Sequence, residues 1–192
     1  MGVVNTIRAF IAVSLPPAVQ AALGRLSQTL AAQVPTRSVR WVKPELMHLT
    51  LRFLGDTAVS QLPAITAALD QVAVTQAPFT LHLGTLGGFP NRRRPRVIWV
   101  GLASSGGEIG ELKQAIDACL VPLGWDVEDR PFQSHLTLGR VNDGRQLAGL
   151  NWDMGVGVER LVVPVTAIHL IESQLRPDGP IYTIRHSSHL RL

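Results

Sequence analysis

The chain has 192 residues, enough for one domain, and a hydrophobic share of 46% with mean hydropathy +0.19 excludes a disordered polymer. Its single cysteine, Cys119, excludes an intramolecular disulfide and a cysteine-cluster zinc site, and no apolar run reaches the ~18 residues that span a bilayer. A net charge of +4 and a pI near 10.2 favour anionic partners, nucleic acid among them, without specifying a fold.

In chain order, Arg8 to Leu15 is a short, β-rich apolar run. It is too brief, and too soon interrupted by Pro16-Pro17, for a signal peptide, so the cytoplasm is the expected location. The two prolines suit the first turn of a helix carrying Val19, Leu23, Leu26 and Leu30 on one stripe. His48-Leu49-Thr50-Leu51-Arg52-Phe53 alternates as a strand that Gly55-Asp56 should close. A helix follows on Leu62, Ile65, Leu69 and Val72, and Phe79 to Leu83 alternates again.

The scheme then restarts. Val97 to Val100 reads as a buried strand, and Ile109, Leu112, Ile116, Cys119 and Leu120 line one side of a helix. His135-Leu136-Thr137-Leu138-Gly139 is the next strand. Val165 to Leu175 and Ile181 to Ile184 are expected strands across the Pro177-Asp178-Gly179 turn. The interval from Arg8 to His48 matches that from Arg96 to His135 to within one position. Strand, helix and a His-Leu-Thr-Leu strand thus occur twice in one order. Such a repeat predicts two pseudo-symmetric lobes sharing one cleft, with no separate linker, so that 1–192 is one domain.

Alternation puts His48 with Thr50, and His135 with Thr137, on the outward face, while Leu49, Leu51, Leu136 and Leu138 anchor the strands. Two imidazoles meeting across a cleft supply what opening a cyclic phosphate needs: one neutral base for the attacking water and one protonated acid for the leaving ribose oxygen. The threonine hydroxyls would bond the non-bridging phosphate oxygens. His82, His169, His186 and His189 have no threonine two residues on and read as structural or surface histidines, with His189 in a solvated tail. Phe53 reads as a core aromatic in preference to a base-stacking ring, and Cys119 as core filling. The basic run Asn91-Arg92-Arg93-Arg94-Pro95-Arg96 fits a solvated loop as well as an RNA contact. Gly155-Val156-Gly157 lacks a third glycine and is no dinucleotide fingerprint, and no phosphate-loop sequence supports an ATP-dependent ligase or kinase.

Arg8-Ala9-Phe10-Ile11-Ala12, Arg40-Trp41-Val42-Lys43-Pro44-Glu45, His48 to Gly55, Arg96 to Gly101, Phe132 with His135 to Arg140, and Glu172-Ser173 through Gly179-Pro180-Ile181-Tyr182 together resemble the two-histidine phosphoesterases. Within that superfamily they are most similar to the RNA 2′,3′-cyclic phosphodiesterases, also called 2′-5′ RNA ligase-like proteins. The resemblance implies a bilobed α+β fold, with antiparallel sheets and outer helices around a central cleft. It implies hydrolysis of a 2′,3′-cyclic phosphate at an RNA or nucleotide end to a 2′-phosphomonoester, with no metal and no cofactor, and reversible 2′-5′ ligation in some members. It further implies His48 as proton donor, His135 as proton acceptor and Arg140 as a phosphate ligand; the two near-identical strands alone leave donor and acceptor open. A monomer is expected, with no membrane association and no obligate protein partner. Family members often carry proline before the second histidine where this chain has Ser134, which should alter strand entry.

Three alternatives stay open on the sequence. One is a cyclic phosphodiesterase for a small nucleotide such as ADP-ribose 1″,2″-cyclic phosphate, or an exonucleolytic relative. Another is a non-catalytic RNA-binding module. The third is a hydrolase using His48 and His135 as metal ligands, for which no third ligand accompanies either strand.

Overall fold

A computed structural model describes residues 5–147, 149–153 and 161–191 of the chain; Gly155-Val156-Gly157 lies outside them. Two antiparallel sheets and three helices make an α+β fold. In one sheet the strands run β3 (His48–Ala58), β1 (Thr6–Ser14), β8 (Ala167–Gln174), β9 (Ile181–His189). The other runs β2 (Val39–Trp41), β6 (His135–Val141), β5 (Val97–Ala103), β4 (Phe79–Phe89), β7 (Val162–Val165).

The central strand β1 is buried on both faces. Ala9, Ile11 and Val13 join the main core, whereas Phe10 and Ala12 pack on the opposite face with Ile171 and Tyr182. The helices are amphipathic as the periodicity predicts. In α1 (Pro17–Ala31), Val19, Leu23, Leu26 and Leu30 are buried; in α2 (Leu62–Ala73), Ile65, Leu69 and Val72; in α3 (Glu108–Leu120), Ile109, Leu112, Ile116 and Leu120. One apolar core collects residues from both sheets and all three helices, and Cys119 packs half-buried against it.

The repeat is visible in the pairing. Ser14 stands opposite His48 as Gly101 stands opposite His135, and the next partners, Val13 with Leu49 and Val100 with Leu136, correspond in turn. The halves of the sequence are not the lobes, however: β8 and β9, from the end of the chain, complete the sheet that β1 and β3 begin.

Three boundaries depart from the sequence-based reading. Gly55-Asp56 does not close β3, because Gly55 takes φ +70° next to a register shift and the strand continues to Ala58. The single strand expected from Val165 to Leu175 divides at Thr166 into β7 and β8, which belong to different sheets. The last strand runs past Ile184 to His189, so His189 is an exposed strand residue paired with Ala167 and not part of a solvated tail.

Candidate active site

His48 and His135 begin β3 and β6, strands of different sheets that contact each other, and both histidines line one cavity of about 610 Å³. That volume suits a nucleotide-sized ligand. Each ring is fixed the same way. His48 Nδ1 lies 2.8 Å from the Leu46 carbonyl and His135 Nδ1 lies 2.7 Å from the Gln133 carbonyl. A carbonyl only accepts, so each Nδ1 carries the proton, and in the neutral ring Nε2 keeps its lone pair.

Aromatic rings set the orientation. His48 stacks on Phe10 with centroids 4.8 Å apart, and Tyr182 meets it edge-on at 5.2 Å. His135 receives Phe89 edge-on at 4.9 Å and Trp99 at 6.1 Å. Gly87 makes the second cage possible, because a Cβ there would lie 2.2 Å from the Trp99 ring. Burial lowers the pKa of both histidines below the ordinary value. The charge of His135 lowers that of His48 further, and the Arg140 guanidinium lowers that of His135; the bonds to Leu46 and Gln133 oppose these shifts.

Thr50 and Thr137 line the same cavity, as do Arg140 and Phe53. A shared backbone irregularity puts the last two there. The ladder passes from Thr50 to Arg52 over one residue of β1, and from Thr137 to Gly139 over one residue of β5, so Leu51 and Leu138 are bulged. Each bulge reverses the alternation that follows, bringing the fifth residue after the histidine to the cavity instead of the fourth. Phe53 is therefore not a core aromatic: it is 58% exposed, with its ring 6.0 Å from Phe10.

The bulge sends Arg52 inward, where it is 6% exposed. Its guanidinium reaches Asp117 at 3.5 Å and Glu128 at 3.4 Å and donates to the Asp126 carbonyl, while Lys113 bonds Asp117 at 2.6 Å and Glu128 at 2.9 Å. This buried cluster ties β3 to α3 and to the segment that leads into His135. Sequence reading missed it, since charged residues on an alternating strand and an amphipathic helix look solvated.

The remaining candidates lie elsewhere. His186 and Ser188 both bond Asp70 of α2, at 2.7 and 2.6 Å, His169 bonds Ser187 at 2.9 Å, and His82 is exposed. Arg92 is held by the Leu86 carbonyl and Asp153 and lies over the Trp152 ring, and none of Arg92, Arg93 or Arg94 lines the cavity. The carbonyl of Ser134 accepts from the Leu102 N–H, extending the β5–β6 pairing ahead of His135. Among the described residues no three His, Cys, Asp or Glu side chains gather as a metal site, and no helix is long and apolar enough to cross a membrane.

Residues 13–99 match the LigT like phosphoesterase family. The RNA 2′,3′-cyclic phosphodiesterase of Methanothermobacter thermautotrophicus is 33% identical over 183 residues, covering 92% of this chain and 95% of that protein. The chain belongs to the LigT-like phosphoesterase family. The RNA 2′,3′-cyclic phosphodiesterase of Thermus thermophilus is 35% identical, with 96% of this chain and 90% of that protein covered. Among solved structures, one of a Thermus thermophilus protein superposes with a TM-score of 0.79 at 32% identity, covering 96% of this chain and 98% of its own. The E. coli LigT complex with 3′-AMP shares the fold, with a TM-score of 0.76 at 23% identity over 98% of this chain and all of that one.

Proposed function

We propose that the chain is an RNA 2′,3′-cyclic phosphodiesterase that opens the cyclic phosphate to a 2′-phosphomonoester with His48 as general acid and His135 as general base. The single observation that carries this reading is the matched pair of Nδ1 ties, which leaves two Nε2 atoms for the chemistry of one cavity. Neutral His135 takes a proton from water at Nε2 as the water oxygen bonds phosphorus. The P–O3′ bond breaks, and protonated His48 gives its Nε2 proton to the leaving oxygen. The products are a 2′-phosphate and a free 3′-hydroxyl, with the protonation of the two rings exchanged.

Electrostatics supports one proton on the pair. Because the charges of the two rings oppose each other, the singly protonated state is favoured over the doubly protonated one, and one acid with one base is what the reaction consumes. A bound cyclic phosphate adds the negative charge that keeps a proton on His48. Thr50 and Thr137 donate to the non-bridging oxygens, Arg140 balances the phosphate charge, and Phe53 offers a ring to the terminal base. With a 5′-hydroxyl in place of water as the nucleophile, the same ring opening forms a 2′-5′ linkage and frees the 3′-hydroxyl, which is 2′-5′ ligation.

All these groups come from one chain, so the reading takes 1–192 as a single domain acting as a monomer without a metal. The lone free thiol fits the cytoplasm. The test is phosphorus NMR of the product formed from a nucleoside 2′,3′-cyclic phosphate in the presence of EDTA. A 2′-phosphomonoester formed at an undiminished rate is expected. A 3′-phosphomonoester, loss of the reaction with EDTA, or binding without turnover would refute the proposal.

A further inference from the structure

The cavity holds more positive charge than one cyclic phosphate needs: Arg8, Arg40, Lys43, Arg140 and Arg176 line it against a single carboxylate residue, Asp178. Two of these cations share one spot. On the paired strands β2 and β6, Arg40 stands directly opposite Arg140, and Val97 faces Arg140 from β5. Directly opposed residues share a face of a sheet, and all three line the cavity. Both arginines are exposed, and neither has a carboxylate at salt-bridge distance among the described residues. Arg8 also has no salt bridge among the described residues, but the residue opposite it in β3 is acidic, Asp56, and not a second cation.

Like charges directly opposed on neighbouring strands destabilise a sheet unless an anion lies between them. Along β5, the partner of Thr137 is Trp99 and the partner of Arg140 is Val97, two residues on. The arginine pair therefore sits about 7 Å along the sheet from the threonine expected at the cyclic phosphate, roughly the reach of one nucleotide. We propose that Arg40, with Arg140 shared between it and the cyclic phosphate, forms a second phosphate site, which grips the phosphate on the 5′ side of the terminal nucleotide and makes a 5′-phosphorylated or oligonucleotide end the preferred substrate. This rests on the function proposed above. It adds Arg40 as a specificity-determining residue.

The test compares kcat/KM for a nucleoside 2′,3′-cyclic phosphate with that for the same compound bearing a 5′-phosphate. The original chain should prefer the 5′-phosphorylated compound by about tenfold, the scale of one charge-assisted hydrogen bond, and added salt should shrink the preference. In Arg40→Ala, folded by circular dichroism, the ratio of the two kcat/KM values should fall close to one, and Arg40→Lys should keep part of it. Equal kcat/KM values in the original chain, or a preference that survives in Arg40→Ala, would overturn the second site while leaving the cyclic-phosphate reaction standing. Turnover of neither compound would overturn both readings.

Discussion

His48 and His135 are held by the same device on two different sheets: each Nδ1–H donates to the backbone carbonyl two residues earlier, that of Leu46 in one case and of Gln133 in the other. The bond fixes the ring plane and the tautomer together, so the reactive nitrogen of each imidazole is Nε2. Neighbouring aromatic rings then restrict rotation further. The pair resembles two copies of one part, yet the copies differ at the fifth residue after each histidine, Phe53 in one and Arg140 in the other. That difference gives the symmetric cleft a direction, with an aromatic face at one motif and a cation at the other.

The pH dependence follows from the lowered histidine pKa values. For kcat/KM in the free enzyme, the acid limb is loss of the neutral base and the alkaline limb is loss of the proton from the acid. Burial lowers both pKa values, so the bell-shaped profile should have its maximum on the acid side of the ordinary histidine value of about 6.5. In kcat, measured with bound phosphate holding the proton on His48, the alkaline limb should lie higher. Profiles of both parameters check the sign; a maximum of kcat/KM well above 7 would contradict it.

Replacing Thr50 or Thr137 by valine keeps the shape and removes one hydroxyl. A hydrogen bond to a charged group contributes about 1.5–3 kcal/mol, so each variant should lose roughly 10- to 100-fold in kcat/KM. Steady-state rates on a 2′,3′-cyclic nucleotide measure this. Equal losses at the two positions would fit a phosphate held symmetrically.

Phe53→Ala tests the exposed ring. Base stacking contributes about 1–3 kcal/mol, which predicts a KM raised roughly tenfold or more with kcat little changed. Stability should hardly move, since the ring is 58% exposed. A loss of several kcal/mol in denaturant unfolding would return Phe53 to the core.

Arg52→Ala leaves Asp117 and Glu128 with Lys113 as their remaining cation. Breaking a buried charge cluster typically costs 3–5 kcal/mol, and because Glu128 is partly exposed about 3 kcal/mol is expected here. Urea unfolding monitored by tryptophan fluorescence measures it. A cost below about 1 kcal/mol would mean that solvent already screens the cluster.

The duplicated tetrapeptide and the helix stripes were legible because they obey simple periods, and the elements carrying both histidines stand where those periods put them. What escaped depends on breaks in period. Strict alternation places Arg52 outward and Phe53 inward; the Leu51 bulge reverses both, and no residue type announces a bulge at a leucine. The cluster around Arg52 escaped for the same reason. Gly55 reads as a stop but serves as an irregularity inside a continuing strand. The contribution of β8 and β9 to the first sheet is a matter of long-range topology, which local pattern does not encode.

The most direct test of the two-imidazole account is turnover by His48→Ala and His135→Ala, each verified as folded. Removal of either ring should cost roughly 10²–10⁴ in kcat, with the acid and alkaline limbs of the pH profile lost one to each variant. Near-normal turnover in either folded variant would contradict the assigned pair.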